Sequence, residues 1–198
     1  MASMVELLAD TVVLPIRPDG YTVADIDALP ESHASRYELV DGVLFVSPMP
    51  ARRHQLLVDS LGDVLKRSCP PDLVVQPLGQ DVRSGERTNV VPDLLVDRVA
   101  DIDLDAHVAA APLLVVEVVS PSSRRMDLFI KVEVYEEMGI PSYWVIHPAQ
   151  NWIKVYQLGQ HGYELAAAAE GDDLLEVSTP FPVSFRPTDL LGRFRGNA

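Results

Sequence analysis

Two carboxylates in this sequence stand inside apolar segments, where an ionised group is costly. Asp93 lies in Val-Val-Pro-Asp-Leu-Leu-Val, and Glu117 lies in Leu-Leu-Val-Val-Glu-Val-Val. Both segments are typical of buried strands, where an ionised carboxylate costs several kcal/mol unless a positive charge offsets it. A divalent metal ion shared by the two side chains would supply that charge. Such an ion can also assist the hydrolysis of a phosphodiester.

Lys131 is the third residue of chemical interest and follows in the segment Asp-Leu-Phe-Ile-Lys-Val-Glu-Val-Tyr. Near a metal site its ammonium would orient the attacking water or stabilise negative charge in the transition state. The spacing alone favours another interpretation, an i,i+4 ion pair with Asp127 on a helix surface. Each carboxylate taken by itself also has an ordinary alternative, in which backbone groups or an arginine satisfy it.

The segments that would position these residues alternate between strand and helix patterns. Asp41-Gly42 between two apolar runs predicts a hairpin over 36–47, and apolar residues at helical spacing predict helices over 53–68 and 125–138. Strands are predicted at 73–76, 90–96, 113–119, 142–146, 152–157 and 163–165. This order indicates an α/β fold in which helices pack on a mixed central sheet.

Capping residues mark the ends of two predicted helices. Thr22 with Asp25 forms a capping-box pattern at the start of a short helix over 22–29. Ser122 or Ser123 is the predicted cap of the helix over 125–138. The stretch from 97 to 112 is predicted as a loop or short helix, and the pattern after residue 179 favours no particular element.

The two carboxylates are predicted to meet at one edge of the sheet. Asp93 follows Pro92, where a strand can end its pairing, and Glu117 comes near the end of its own strand. If the two strands are neighbours, both side chains can face the same ion. Mg²⁺ prefers carboxylate oxygens and water, so Mg²⁺ is the expected cofactor, with Mn²⁺ as a substitute.

Composition limits the class of protein. The 198 residues include 16 basic and 29 acidic residues, and the net charge of −13 argues against a general nucleic-acid coat protein. The length fits a single domain over 1–198 with short extensions. No apolar run approaches the roughly 20 residues that a membrane helix needs.

The single cysteine, Cys69, cannot form an internal disulfide and belongs to no zinc-binding pattern. The N-terminal apolar stretch also lacks the basic segment that precedes it in a signal peptide. Both observations favour a cytoplasmic protein. The functional alternative for Cys69, a reactive thiol, lacks an evident partner base.

Further residues are candidates for contact with a substrate. His54 begins the second predicted helix beside Arg53, and a helix start favours anions such as phosphate. The alternative is a surface histidine that only helps to open the helix. Arg124 and Arg125 either clamp a substrate strand or form a solvated charged turn.

Three aromatic residues are also considered. Tyr135 stands one turn after Lys131 and either faces the site or packs in the core. Trp144 and Trp152 are most simply packing residues, and stacking on a base is the alternative.

Longer motifs in the chain resemble those of the Uma-two family of restriction endonucleases, within the PD-(D/E)XK nuclease superfamily. The resemblance runs from about residue 22 to residue 158. It implies a core over about 22–158 with extensions at 1–21 and 166–198, of which the C-terminal one is expected to be a β extension. Its marks are Arg-Tyr-Glu-Leu-Val-Asp-Gly at 36–42, Arg-His-Gln at 53–55, Val-Pro-Asp-Leu-Leu at 91–95, Val-Val-Glu-Val-Val-Ser-Pro-Ser-Ser at 115–123, and Asp-Leu…Lys…Tyr…Gly-Ile-Pro-Ser-Tyr-Trp-Val at 127–145. Together these motifs are far more specific than either acid alone.

The resemblance implies a restriction-endonuclease-like α-β-β-β-α-β core and metal-dependent cleavage of DNA. It implies that Asp93 and Glu117 are catalytic metal ligands, with the carbonyl of Val118 as a third ligand. Glu38 would be an additional acid near the metal, although it falls in the predicted hairpin and not in the first core helix.

The lysine departs from the superfamily pattern. In the wider superfamily it lies two residues after the glutamate, where this chain has Val119. In the family that this chain resembles, the lysine comes from the following helix, a position that corresponds to Lys131. Catalysis is therefore expected to require that Lys131 reach the site from that helix.

These observations leave more than one class of function open. The first is a metal-dependent deoxyribonuclease acting as a homodimer, because cutting both strands of a duplex favours two active sites per assembly. The second is a catalytically silent module that keeps the nuclease fold for oligomerisation or partner binding, which the acidic balance motivates. A glycosidase carboxylate pair ranks third, because it leaves Lys131 and the apolar strand settings unexplained.

Overall fold

The computed structural model describes residues 17–29, 35–77, 80–105, 108–109, 112–121 and 123–194. Ser122, one of the two predicted caps, lies outside the described residues, as does most of the predicted N-terminal extension. None of the helices in the described part of the chain is both long and apolar enough to cross a membrane.

The strands are β1 Ser35–Val40, β2 Val43–Pro48, β3 Leu73–Gln76, β4 Asp81–Ser84, β5 Thr88–Val90, β6 Leu94–Arg98, β7 Val108–Ala109, β8 Leu114–Val118, β9 Ser142–His147, β10 Trp152–Gly159, β11 Gly162–Glu170, β12 Leu175–Val177 and β13 Val183–Phe185. The α-helices are α1 Val23–Asp27, α2 Arg52–Ser68 and α3 Lys131–Glu137. A π-helical turn, Met126–Ile130, precedes α3, and 3₁₀ segments span Val99–Asp101 and Pro187–Phe194.

A six-stranded mixed sheet forms the centre of the molecule, with the strand order β11-β10-β9-β8-β6-β3. Its strands β8 and β9 run parallel, whereas β6 is antiparallel to both β8 and β3. Along the chain, α2, β3, β6, β8, α3 and β9 follow the α-β-β-β-α-β order. The predicted fold class is therefore confirmed.

A second sheet of five strands is ordered β2-β1-β5-β4-β7. It contains the hairpin β1–β2, which precedes the core in the chain, and β4, β5 and β7, which are inserted into it. The predicted hairpin is confirmed: β1 and β2 pair antiparallel around Asp41 and Gly42, whose φ angles are +50° and +80°. These left-handed conformations suit an aspartate-glycine pair in a tight hairpin turn. A small third sheet pairs β12 with β13 within the predicted C-terminal extension over 166–198.

The predicted strand over 90–96 is wrong, because the chain changes sheets within it. Strand β5 ends at Val90 in the five-stranded sheet, and β6 begins at Leu94 in the six-stranded sheet. Pro92 has no N–H to donate to a ladder, so the apolar run can leave one sheet there and enter the other. Asp93 consequently lies at the junction of the two sheets.

The central strands β6, β8 and β9 of the six-stranded sheet are buried on both faces. Alternate residues of β8, such as Val116, face α2, whose apolar stripe includes Leu57 and Leu61. The residues between them, such as Val115, face α3 and the five-stranded sheet, where they pack with Tyr135. Full burial of one such side chain stabilises the fold by about 1.5–3 kcal/mol. This alternation places Glu117 on the α3 side of the sheet.

Helix starts follow the local sequence closely. The predicted capping box of α1 is confirmed, since Thr22 accepts from the Asp25 N–H and the Asp25 carboxylate accepts from the Thr22 N–H. Before the π-helical turn and α3, Ser120 provides a similar cap. Its hydroxyl accepts from the Ser123 N–H, and the Ser123 hydroxyl accepts from the Ser120 N–H. The predicted cap Ser123 therefore acts as the second member of this pair.

Candidate active site

Charged side chains from both sheets and both long helical segments converge on one small space of about 30 Å³. The members of this cluster are Arg36, Glu38, His54, Asp93, Glu117, Asp127 and Lys131. Arg36 and Glu38 belong to β1, and His54 belongs to α2. Asp93 lies at the junction of the two sheets, and Glu117 belongs to β8. Asp127 lies in the π-helical turn, and Lys131 begins α3. The predicted acids and the predicted lysine are thus brought together.

Lys131 is the centre of the cluster and is only 1% exposed. Its Nζ lies 2.8 Å from Glu117 Oε1 and 2.7 Å from Glu38 Oε1. It also lies 3.7 Å from Asp127 Oδ1, but both residues are buried, so the predicted surface pair is wrong. Burial lowers the pKa of Lys131, and the nearby carboxylates, Glu117 first, outweigh this effect and raise it. The ammonium therefore stays charged.

A π-helical turn contains Asp127 and ends next to Lys131, and both side chains are buried. The Lys131 N–H donates to the carbonyl of Met126, five residues back, and not to that of Asp127. The Asp127 carbonyl instead accepts from the Tyr143 hydroxyl on β9. A single wide turn of this kind often occurs at functional sites. Here Tyr143 satisfies the carbonyl that the wide turn releases.

Asp93 is held by groups from three different elements. Its Oδ1 accepts from Arg36 Nη1 at 3.0 Å, and its Oδ2 accepts from the Val118 N–H at 2.8 Å and contacts His54 Nε2 at 3.0 Å. Burial alone would raise the pKa of Asp93, but the hydrogen bond and charge of His54, followed by Arg36 and Lys131, lower it to about 2. Asp93 is therefore an anion at every working pH.

Glu117 is fully enclosed and has two donors on one oxygen. Tyr135 Oη donates to Glu117 Oε1 at 2.6 Å, beside the Lys131 contact to the same atom. Burial raises the pKa of Glu117 well above its ordinary value, the Lys131 ammonium opposes that rise, and the other carboxylates of the cluster add to it. A further cation beside the Glu117 carboxylate would favour its ionised form.

Glu38 closes the cluster from the five-stranded sheet. Its Oε1 accepts from the Val91 N–H at 2.9 Å and contacts the Lys131 ammonium. The hairpin predicted from the sequence, and not the first core helix, thus supplies this acid. Arg36 stands two residues earlier on the same strand and the same strand face, and it donates to both Val91 O and Asp93.

His54 lies between two groups that were predicted as metal ligands, the Val118 carbonyl on β8 and the Asp93 carboxylate at the junction of the two sheets. Its Nε2 lies 3.0 Å from Asp93 Oδ2 and 3.0 Å from the carbonyl of Val118. Both neighbours are acceptors, so Nε2 carries the proton and donates to them. Among the described residues, His54 Nδ1 is buried without a hydrogen-bond partner. The imidazole is therefore not the surface group that one interpretation of the sequence favoured.

The donor set of the cluster fits a hard divalent cation. If all four carboxylates are ionised and His54 is neutral, they exceed the two permanent cations, Arg36 and Lys131, by two negative charges. Burial, together with this crowding of negative charge, raises the pKa of Glu117 and of Asp127. Carboxylate and carbonyl oxygens are the ligands that Mg²⁺ and Mn²⁺ prefer, and the space is large enough for an ion or a water. Within the described parts of the chain, no three His, Cys, Asp or Glu side chains already form a metal cluster. The groups that the sequence predicts as metal ligands, Asp93, Glu117 and the Val118 carbonyl, are contacted here by protein side chains.

The remaining predicted contact residues divide into two groups. Arg53 and Arg124 are exposed and line a second cavity beside His54. Arg125 lies elsewhere, with Phe45 and Phe129 around a separate surface hollow. Tyr135 combines both predicted alternatives, because it packs in the core and its hydroxyl donates to Glu117.

The tryptophans and the cysteine lie outside the cluster. Trp144 is buried, stacks with Phe185 and donates to Ser142. Trp152 donates to Gln150 through its indole N–H and lies under the Lys154 ammonium. Burial, followed by the charge of Asp72, raises the pKa of the Cys69 thiol, which disfavours the reactive thiolate.

Two members of the cluster, Arg36 and Asp127, were not among the site residues expected from the sequence. Strand alternation carries the signal for Arg36, because residues i and i+2 share a face and Glu38 was already a candidate. Asp127 was considered only as a surface partner of Lys131, since a regular helix gives no reason to bury both. The wide turn has no evident sequence signature in this segment.

Comparison with known proteins agrees with this architecture. Among curated proteins, none matches the sequence. The crystal structure of "a putative nuclease belonging to DUF820" from Anabaena variabilis ATCC 29413 matches with a TM-score of 0.69 and 21% identity, over 86% of this chain and 97% of that one. At this identity the match establishes the fold. The model of the Uma2 family, described as "Putative restriction endonuclease", matches residues 23–190. This chain therefore belongs to the Uma2 family.

Proposed function

We propose that this protein is a Mg²⁺-dependent endonuclease that hydrolyses phosphodiester bonds in DNA. The observation that carries the proposal is the buried contact between Lys131 and Glu117, 2.8 Å long, in a cluster that also contains Asp93 and Glu38. A family match and a nuclease-like fold support the general class. The spare negative charge of the cluster suits a metal.

The residues Asp93 and Glu117, with the carbonyl of Val118, would hold the metal. The metal would supply a Lewis acid that polarises the phosphoryl group, and Mn²⁺ would serve in place of Mg²⁺. Arg36 and His54 fix the Asp93 carboxylate and keep it ionised. Tyr135 fixes Glu117 by its hydrogen bond to Oε1.

Lys131 would act on the reacting atoms. Its ammonium orients the attacking water or stabilises the negative charge that develops on the phosphoryl oxygens. Glu38 holds that ammonium in place through Oε1, and the same oxygen accepts a hydrogen bond from the Val91 N–H. Such positioned groups typically contribute about 10²–10⁴-fold to a rate.

A test of this function compares the wild type with Glu117→Gln and a matched control, Glu176→Gln, which changes an exposed glutamate on β12. Each protein is incubated with supercoiled, linear duplex and single-stranded DNA in millimolar Mg²⁺ or Mn²⁺, with a chelator as blank. We expect cutting by the wild type and the control and none by Glu117→Gln, with equal circular dichroism. A folded wild type that cuts no form of DNA in either metal would overturn the proposal.

A silent nuclease-fold module is the second candidate. It is favoured by the observation that Lys131 already forms ion pairs with both Glu38 and Glu117 without a metal. In that case the cluster stabilises the junction of the two sheets and performs no chemistry. This candidate predicts no cleavage and no binding of Mg²⁺ or Mn²⁺.

We also propose that the protein acts as a homodimer, because cutting both strands of a duplex takes two active sites. Strand β2 lies at an edge of its sheet, and its residues Val43 and Val46 are exposed. An edge strand with apolar side chains is suited to pairing with a second copy. Light scattering coupled to size-exclusion chromatography measures the mass, and a monomer at micromolar concentration would contradict this arrangement.

A further inference from the structure

A second cavity of about 350 Å³ adjoins the acidic cluster. His54 and Ser120 line both spaces, so the two are neighbours across the imidazole ring. The second cavity is much larger than the space of about 30 Å³ inside the cluster, and it opens to solvent. Apart from His54, its lining residues take no part in the chemistry proposed for the cluster.

The lining of this cavity combines apolar walls with cationic groups. The apolar residues are Ala51, Val119, Pro121, Pro148 and Ala149. The basic residues are Arg53, Arg124 and the histidines His54 and His147. Walls of this kind suit a flat apolar ring, and guanidinium groups suit a phosphate beside it. In a protein with a net charge of −13, two arginines at one cavity are a local reversal of sign.

The start of α2 adds to the attraction for an anion. This 17-residue helix begins after Ala51, which has no side-chain cap, and its first turn contains no acidic residue. The partial positive charge of the helix start is therefore uncompensated by the chain itself. His54 lines the cavity but is only 8% exposed, and its Nδ1 is itself buried, without a partner among the described residues.

The size and position of the cavity point to a nucleotide and not to a lone phosphate. A free phosphate needs donors but no apolar walls, whereas a base needs both a flat surface and room. If a phosphodiester lies at Asp93 and Glu117, its neighbouring nucleotide falls next to His54 and hence at the cavity. A base in a duplex is paired and stacked, and extracting it costs a few kcal/mol.

We propose that this cavity binds one unpaired nucleotide adjoining the scissile phosphate. The preferred substrate is therefore single-stranded DNA, or DNA with an unpaired end or bulge. The inference rests on the proposed function for the location of the phosphate, but the binding of an unpaired nucleotide is measurable without cleavage.

The first test fills the cavity with Ala149→Trp and uses Ala100→Trp, an exposed alanine in the 3₁₀ segment after β6, as the matched control. The affinity of each protein for a short labelled oligodeoxynucleotide, single-stranded or as a blunt duplex, is measured by anisotropy in Ca²⁺ and in chelator. We expect wild type and Ala100→Trp to prefer the single strand about tenfold. Ala149→Trp should lose that preference.

The second test uses two adjacent arginines, because Arg124 lines the cavity and Arg125 does not. Arg124→Gln should weaken single-strand binding several-fold, whereas Arg125→Gln should leave it unchanged. A 2-aminopurine placed in the oligonucleotide should brighten on binding to the wild type as the base leaves the stack. That change should be absent with Ala149→Trp.

Equal affinity for both DNA forms, or unchanged binding by both Ala149→Trp and Arg124→Gln, would overturn this inference. Single-strand binding without any cleavage would leave it standing and remove the proposed function. Cleavage of duplex DNA without a preference for unpaired nucleotides would support the proposed function and overturn the inference that the cavity binds an unpaired nucleotide.

Discussion

The Lys131 ammonium lies 2.8 Å from Glu117 Oε1, although the two residues belong to different elements and are 14 positions apart. Strand alternation explains the contact, because Glu117 faces the side of the sheet on which α3 packs. Val119 shares that face two residues after Glu117, but its side chain is buried among apolar residues. The positive charge beside Glu117 therefore comes from Lys131 at the start of α3 and not from a residue of β8.

Replacing Lys131 by methionine should abolish function and weaken the fold. We expect cleavage to fall by at least about 100-fold, since the positioned ammonium is lost. Glu38 and Glu117 would be left buried without their counter-charge, which costs on the order of 3–5 kcal/mol of unfolding free energy at neutral pH. Urea denaturation and a cleavage assay measure the two effects. Lys66→Met, at an exposed site on α2, should change neither, and cleavage by Lys131→Met at the wild-type rate would contradict the assignment.

Mg²⁺ or Mn²⁺ should stabilise the wild type against heat. A metal at about 100 times its dissociation constant adds about 2.7 kcal/mol to the free energy of unfolding, which corresponds to a Tm rise of several degrees. Asp93→Asn should lose this rise, whereas the exposed Asp63→Asn should keep it. Differential scanning calorimetry with and without metal gives the comparison. Identical wild-type melts in metal and chelator would favour the silent module.

Asp127 should behave as a positioning residue for Lys131. We expect Asp127→Asn to lower kcat about 10–100-fold with little change in KM, because the ammonium loses one of its three carboxylate neighbours. Tyr143→Phe should act in the same direction, since it removes the donor to the Asp127 carbonyl. Steady-state kinetics on an oligonucleotide substrate measures both. The exposed Asp173→Asn is the control, and a rise in KM alone would show that Asp127 binds substrate instead.

Asp97, on β6 away from the cluster, should make stability depend on pH. Burial raises its pKa to about 6, the hydrogen bond from Gln76 opposes the rise, and Asp101 adds to it. Because the folded state binds the proton more tightly than the unfolded chain, this group reduces stability as pH rises from about 4 to 6, with no further change above. Solvent screens part of this effect, so Asp97→Asn should raise the free energy of unfolding by about 1–2 kcal/mol at pH 7.5 and by little at pH 4.

Urea titrations at the two pH values measure the Asp97 effect. The amide oxygen introduced by Asp97→Asn would still accept the hydrogen bond from Gln76, so packing is preserved. Asp59→Asn, at an exposed position on α2, is the control and should show no pH-dependent difference. A gain that is the same at both pH values would refute the electrostatic cause.

Local sequence signals predicted much of this fold. The Asp41-Gly42 turn, the capping box of Thr22 and Asp25, and the apolar stripe of α2 each depend on neighbouring residues, and each is found in the structure. The apolar run around Pro92 was misjudged because hydrophobicity reports burial and not which sheet buries the residue. Short strands such as β4 and β12 carry too few residues for a periodic pattern.

The sequence predicted which residues belong to the cluster better than it predicted how their side chains are oriented. Asp93 and Glu117 were evident from charge in apolar surroundings, with Lys131 as a third candidate. The family motifs added Glu38 and favoured a catalytic role for Lys131. The inward direction of Lys131 was not predictable, because i,i+4 spacing with Asp127 fits an exposed regular helix equally well. Its burial depends on a hydrogen bond from a strand that comes later in the chain.

The ion pair between Glu38 and Lys131 joins the two sheets, since Glu38 belongs to β1 and Lys131 to the helix packed on the other sheet. The site is consequently complete only when the sheets are docked. A partial opening that swings the five-stranded sheet away would dismantle the chemistry while the six-stranded core stays folded. Any ligand or second subunit that tightens or loosens this docking would act as a switch on the site from a distance.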